Sequence, residues 1–273
     1  MIKIEYIKSH LECLYARRFS DKDLSRFRCN ICGKAPLSPV SELTDREKPS
    51  CYFCGSNLRF RSIVAALSIE LFGLIIPIPD MSESREIVGI GISDSRAYSG
   101  PLAGKFSYTN TFFHKRPRLD IMEINEELRG SADFVISSEV FEHVPPPVDT
   151  AFANLFALLK PKGICVLTVP YVNEGQTREH FPDLYRYRII KKGGSRVLIN
   201  RTREGEEQVF EDLRFHGGKG STLEMRLFSK ESLLENIRKA GFCNITIHQD
   251  SFPEFGIYLD GINSSFTISM RRA

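Results

Sequence analysis

The stretch that decides the fold is ADFVISSEVFEHV, residues 132–144, followed by an amphipathic segment around Thr150 to Leu159 and then by GICVLTVPY, residues 163–171. Both apolar runs are short and nearly continuous, as strands buried on two faces are, and the segment between them has helical spacing. Towards the N-terminus, RLDIME (118–123), KFSYTNTFF (105–113) and EIVGIGI (86–92) read as further strands. Towards the C-terminus, SKESLLENIRKAGF (229–242) reads as a helix opened by a Ser229 cap and closed by Gly241. CNITIHQ (243–249) and SSFTISM (264–270) read as two more strands. Strands alternating with helices imply an α/β protein with a mainly parallel sheet covered on both faces.

Outside this rhythm the chain changes character. Residues 171–226 carry Gly, charge and aromatics and read as an insertion. Arg59 to Ile76 suits a largely buried helix ended by Pro77, and IPIPDMSES reads as a linker. The expected organisation is therefore an N-terminal module over 1–80 and a main domain over 81–273. Within the first, residues 1–20 have Ile4, Ile7, Leu11, Leu14 and Tyr15 at helical spacing. Cys29 and Cys32 form one C-x-x-C pair, and Cys51 and Cys54 form another, in a segment with no periodicity of its own. That spacing fits a four-thiolate zinc ribbon whose structural metal would supply the folding energy the segment lacks. The alternatives are a redox dithiol or four unrelated buried thiols. Cys13, Cys165 and Cys243 sit among apolar residues and read as core.

Composition narrows the partners. With 42% hydrophobic and 26% charged residues among 273, the chain has enough apolar side chains for a sizeable core. A balance of 37 Lys and Arg against 34 Asp and Glu is far from the excess of a protein held to nucleic acid through phosphates. The apolar runs fall short of the roughly 20 residues that cross a bilayer. No membrane association, a cytoplasmic location and reduced cysteines are the expectations.

The run 132–144, the helix after it and LFALLKPKGICVLTVPY (155–171) together resemble the second half of class I S-adenosylmethionine-dependent methyltransferases. By motif the resemblance covers about residues 84–170, and by order of elements the rest. It implies a Rossmann-like, mostly parallel seven-stranded sheet with helices on both faces, and S-adenosylmethionine as cofactor. Gly89, Ile90 and Gly91 would pass beneath the methionine and ribose, Asp120 and Ile121 would hold the adenine, and Ser138 and Glu139 would leave the fourth strand beside the cofactor. Two positions depart from the family: Ile87 and Ser93 stand where an acid and a third glycine are usual. The second strand ends in Thr109, Asn110 and Thr111 instead of an acid for the ribose. A bare G-x-G also suits simple packing.

Methyl transfer asks mainly for positioning, and a base helps where the acceptor is a hydroxyl. His143 is placed for that role, or else braces the loop with Glu142, or joins Glu139 and Glu142 in a divalent-ion site. The insertion emerges on the cofactor's edge, where His180, Arg188 and Tyr171 would meet the acceptor, or where a solvated loop would lie. No Pro-Cys or Asn-Pro-Pro-Tyr follows the fourth strand, which disfavours the common nucleic-acid base methylations. A small-molecule or glycan acceptor is the favoured reading. The others are an RNA methyltransferase gripping phosphates through the ribbon with Arg59 and Arg61, and a catalytically idle cofactor-binding or assembly protein.

Overall fold

The computed structural model describes residues 23–216 and 222–273. The helix expected over 1–20, Cys13 and the glycine-rich stretch 217–221 lie outside them.

The described chain opens on a small hairpin, β1 (Leu24–Arg26) and β2 (Leu37–Pro39). Two tight turns flank the cysteine pairs: the Gly33 N–H closes on the Cys29 carbonyl at 2.8 Å and the Gly55 N–H on the Cys51 carbonyl at 2.7 Å. Both glycines have φ near +70°, which a side chain would disfavour. Helix α1 (Leu58–Phe72) begins at Asn57, whose side chain accepts from the Phe60 N–H. It stops four residues short of the expected end, because Gly73 turns left-handed and its N–H closes the last turn on Ile69. Glu70 accepts from Arg271 and from the Ser269 hydroxyl, both at 2.7 Å, which fastens α1 to the sheet. The ribbon segment and the sheet therefore share a core through this helix.

The alternation read from sequence follows: β3 (Ser84–Ile92), α2 (Arg96–Lys105), β4 (Phe106–Thr111), β5 (Ala132–Ser138), α3 (Asp149–Leu158) and β6 (Leu159–Thr168). The insertion holds β7 (Tyr171–Val172), β8 (Arg178–Glu179), β9 (Arg186–Lys192), β10 (Ser195–Arg201), β11 (Glu207–Phe210), β12 (Phe215–His216), β13 (Thr222–Leu223) and β14 (Arg226–Ser229). Helix α4 (Lys230–Lys239), β15 (Phe242–His248) and β16 (Thr267–Arg272) complete the chain. Ser229 caps α4 by accepting from the Ser232 N–H.

The central sheet has the order β15-β16-β6-β5-β3-β4. Its last four strands are parallel, and β15 and β16 add an antiparallel edge. Of the seven strands implied by the resemblance, six are regular. RLDIME reaches its neighbour only through the bridge Phe112↔Arg118, since Pro117 has no N–H and Asp120 turns the chain by accepting from the Met122 N–H. Alternate residues build two core layers. Phe134, Ile136, Ile164 and Val166 face α1 and α2, whereas Val135, Cys165 and Leu167 face α3 and α4. The chain leaves β3 towards β4 on one side and β5 towards β6 on the other. The crevice of an open parallel sheet therefore falls at the carboxyl ends of β3 and β5. Among the described residues no helix is long and apolar enough to cross a membrane.

Candidate functional site

At the end of β3 the glycines answer first to this protein's own side chains. A Cβ on Gly89 would enter the Phe134 ring, and one on Gly91 would collide with Tyr108 Oη and Asp94 Oδ2. Ile90 is buried in the core. Asp94 accepts from the Tyr98 hydroxyl at 2.7 Å and from Tyr108, and burial pushes its carboxyl up to about 7. The Asn110 amide holds the Asp94 backbone at both ends, 2.9 Å to the N–H and 2.8 Å to the carbonyl. Thr111 Oγ1 donates to the Gly91 carbonyl at 2.7 Å. Two of the three polar groups that end the second strand are thus used within the protein. Further along the edge, Asp120 lines a cleft of about 270 Å³ with Arg118, Leu119, Ile124 and Asn125. Ile121 is buried beside it and its carbonyl accepts from Asn154.

At the end of β5 the ribbon segment intervenes. Glu139 takes a left-handed φ of 54° and receives Arg46 Nη2 at 2.7 Å. Burial opposes its ionisation, yet Arg46 and Arg59 hold the carboxyl below its ordinary value. Arg59 donates to the Ser138 hydroxyl and grips Glu47 through Nε and Nη2, each at 2.7 Å. The neighbouring Arg61 is fully buried and donates to the carbonyls of Gly256 and Ser56 and to Ser50 Oγ. It is committed to structure and has no phosphate-facing surface.

The four cysteines converge. Their sulfurs all lie within 4.8 Å of one another, with Cys29 Sγ 3.8 Å from Cys54 Sγ and Cys32 Sγ 3.7 Å from Cys51 Sγ. Zinc–thiolate bonds of about 2.3 Å in a tetrahedron require sulfur separations of roughly 3.8 Å, so the donor set fits one zinc ion. A disulfide would need sulfurs at about 2.05 Å.

Beyond β5, a 3₁₀ turn over Phe141–His143 meets the end of the insertion. The Leu223 carbonyl accepts from His143 Nδ1 at 2.9 Å, the Met225 N–H donates to the Glu142 carbonyl at 2.7 Å, and Glu224 lies between them in sequence. One Glu224 oxygen pairs with His180 Nε2 at 2.7 Å and the other with His216 Nε2. The His216 and His143 rings are 6.1 Å apart. Arg226, fully buried, bonds Glu179 and the carbonyls of Phe141 and Val144. Burial pushes Glu142 up to about 8 and His143 below its ordinary value. Among the described residues the histidines and glutamates do not converge as metal donors; only the four cysteines do.

The structure thus gathers His143 and His180 in one cluster, and sets Ser138 and Glu139 at the edge beside it. It does not gather Tyr171 or Arg188. Tyr171 is 2% exposed in the core, its hydroxyl accepting from the Phe266 N–H, and so cannot border an acceptor. Arg188 projects from the exposed strand β9. Sequence reasoning missed Arg46, Glu47, Asp94 and Glu224, none of which stands in a motif.

A model of the methyltransferase domain family matches residues 82–247, which is more than half of the chain. The chain belongs to that methyltransferase family. No curated protein matches it. Among solved structures it is similar to a Burkholderia thailandensis 1,6-didemethyltoxoflavin-N1-methyltransferase, at 14% identity and a TM-score of 0.42 over 78% of each chain. It is also similar to an amino pentose methyltransferase from Micromonospora echinaspora, at 14% identity and a TM-score of 0.43 over 80% of this chain and 93% of that one.

Proposed function

We propose that the enzyme binds S-adenosylmethionine along the carboxyl edge of β3, β4 and β5 and methylates a small-molecule or glycan-type acceptor beneath the insertion. The observation that carries this reading is the docking of Leu223–Arg226 onto the loop after β5, which sets a histidine and carboxylate cluster beside that edge. The cofactor supplies a methyl group on a sulfonium. The chain's own share is to orient the acceptor and take its proton. His143 donates through Nδ1, so its Nε2 lone pair is free to receive a hydroxyl proton. His180 and His216, held by one carboxylate, are the groups for hydrogen bonding to a polar acceptor. Arg188 would join them only if acceptor contacts extend to the outer strand. The ribbon holds a structural zinc on Cys29, Cys32, Cys51 and Cys54. Asp120 lines the cleft suited to the adenine, with Ile121 buried beside it, and Gly89, Ile90 and Gly91 on β3 would pass beneath the methionine and ribose.

RNA is a second reading, favoured by one observation. Residues 186–203 contain seven Lys and Arg and no Asp or Glu, and the guanidinium groups of Arg186 and Arg203 lie 5.5 and 5.4 Å from the centre of the Tyr185 ring. Incubating the enzyme with methyl-labelled cofactor and separated glycan, metabolite and RNA fractions of a cell extract tests both. Label in the glycan or metabolite fraction supports the first reading, and label confined to RNA overturns it.

A further inference from the structure

Arg59 stands over the crevice between β3 and β5. Its Nη1 donates to Ser138 at the end of β5, and its charge acts on Asp94 just beyond the end of β3. The other two nitrogens hold both oxygens of Glu47 in the paired geometry that guanidinium groups use for carboxylates. Arg46 completes the clamp, reaching Glu47 Oε1 at 2.6 Å while it also holds Glu139. The arginine side chains are 12% and 21% exposed, whereas that of Glu47 is 51% exposed. Two largely buried cations are therefore occupied by a carboxylate from a solvent-facing loop, at the place where an open parallel sheet receives its ligand. The cavity between these arginines, Ser265 and Phe266 is about 10 Å³, room for about one water.

We infer that Arg59, assisted by Arg46, is the subsite for the α-carboxylate of the cofactor's amino-acid end, and that Glu47 is its resident occupant, displaced when cofactor binds. The inference rests on the cofactor reading above and adds to it a binding residue that the main domain does not supply. It accounts for how an altered glycine loop can still hold the amino-acid end: the anchoring charge comes from the ribbon segment. Glu139, retained by Arg46, is the acid at hand for the ammonium group of the same end.

Calorimetric titration with two probes separates the possibilities. S-adenosylhomocysteine carries the amino-acid end, and methylthioadenosine has the same adenosine and sulfur without it. Arg59→Ala should weaken S-adenosylhomocysteine about tenfold or more and leave methylthioadenosine within about twofold. Glu47→Gln, at an exposed position, should tighten S-adenosylhomocysteine several-fold and leave the other probe unchanged. Equal losses for both probes in Arg59→Ala, or no loss, would overturn the carboxylate subsite. If Arg59→Ala fails to fold, Glu47→Gln decides, since unchanged S-adenosylhomocysteine affinity refutes the exchange. Wild-type protein that takes up neither probe would instead overturn the cofactor-edge reading itself.

Discussion

His143 Nδ1 lies 2.9 Å from the backbone carbonyl of Leu223, eighty residues further along the chain. A carbonyl only accepts, so the bond places the proton on Nδ1 and leaves the Nε2 lone pair unprotonated in the neutral ring. Nε2 is 3.6 Å from Glu142 Oε1, too far for a hydrogen bond.

His143→Ala should therefore lower turnover of a hydroxyl acceptor by about 10²–10⁴-fold while leaving S-adenosylhomocysteine affinity unchanged. Burial lowers the His143 pKa, so the neutral base persists as pH falls through the ordinary value of about 6.5. The acidic limb of the rate profile should then lie below that pH. A limb above about pH 7, or a fully active variant, rejects the base.

Glu142 gives a stability prediction with a definite sign. Its carboxyl is raised in the folded state to about 8, so the native protein binds its proton more tightly than the unfolded chain does. Stability is therefore lost as pH rises from about 4 through about 8. Glu142→Gln removes that loss, and its melting temperature relative to wild type should climb by several degrees between about pH 5 and about pH 9. A difference that is flat with pH, measured by calorimetry, contradicts the assignment.

One zinc per chain should be found by elemental analysis, with the four ribbon thiols protected from titration until a strong chelator is added. Cys51→Ser should lose the metal and destabilise the whole chain, because Arg61 ties the ribbon's Ser56 to Gly256 in the loop before β16. Metal content well below half an equivalent in wild-type protein, with all thiols reactive, would falsify the site.

Gly89→Ala should cost roughly 1–3 kcal/mol, because its Cβ meets the Phe134 ring. Gly104→Ala, in α2 with nothing within 4 Å, should be neutral or stabilise by up to about 1 kcal/mol. Chemical denaturation of both variants without ligand provides the comparison. If Gly89→Ala is neutral, packing does not explain this glycine.

The strands ADFVISS and GICVLT were legible because burial on both faces makes a strand apolar in its own contiguous residues. The metal-fitting thiols were legible for a similar local reason: two short knuckles carry the whole donor set, and their spacing is visible without the fold. RLDIME has the same apolar look, yet its pairing depends on Pro117 and on where Asp120 turns the chain, so its reduction to one bridge shows only in three dimensions. Gly91 is ambiguous in the sequence, where a ligand and a side chain make the same demand, and only the fold shows that Tyr108 and Asp94 already exclude a Cβ there. The clamp and the cluster depended most on tertiary structure. Arg46 meets Glu139 across 93 residues, Arg59 meets Ser138 across 79, and His180 meets Glu224 across 44. In the sequence Arg46 and Glu224 are each one more polar residue suited to a solvated surface, and Arg59, Ser138, Glu139 and His180 carry no sign of these partners. Only the docking of the ribbon and the insertion against one sheet edge buries them together, and burial turns ordinary charges into a site.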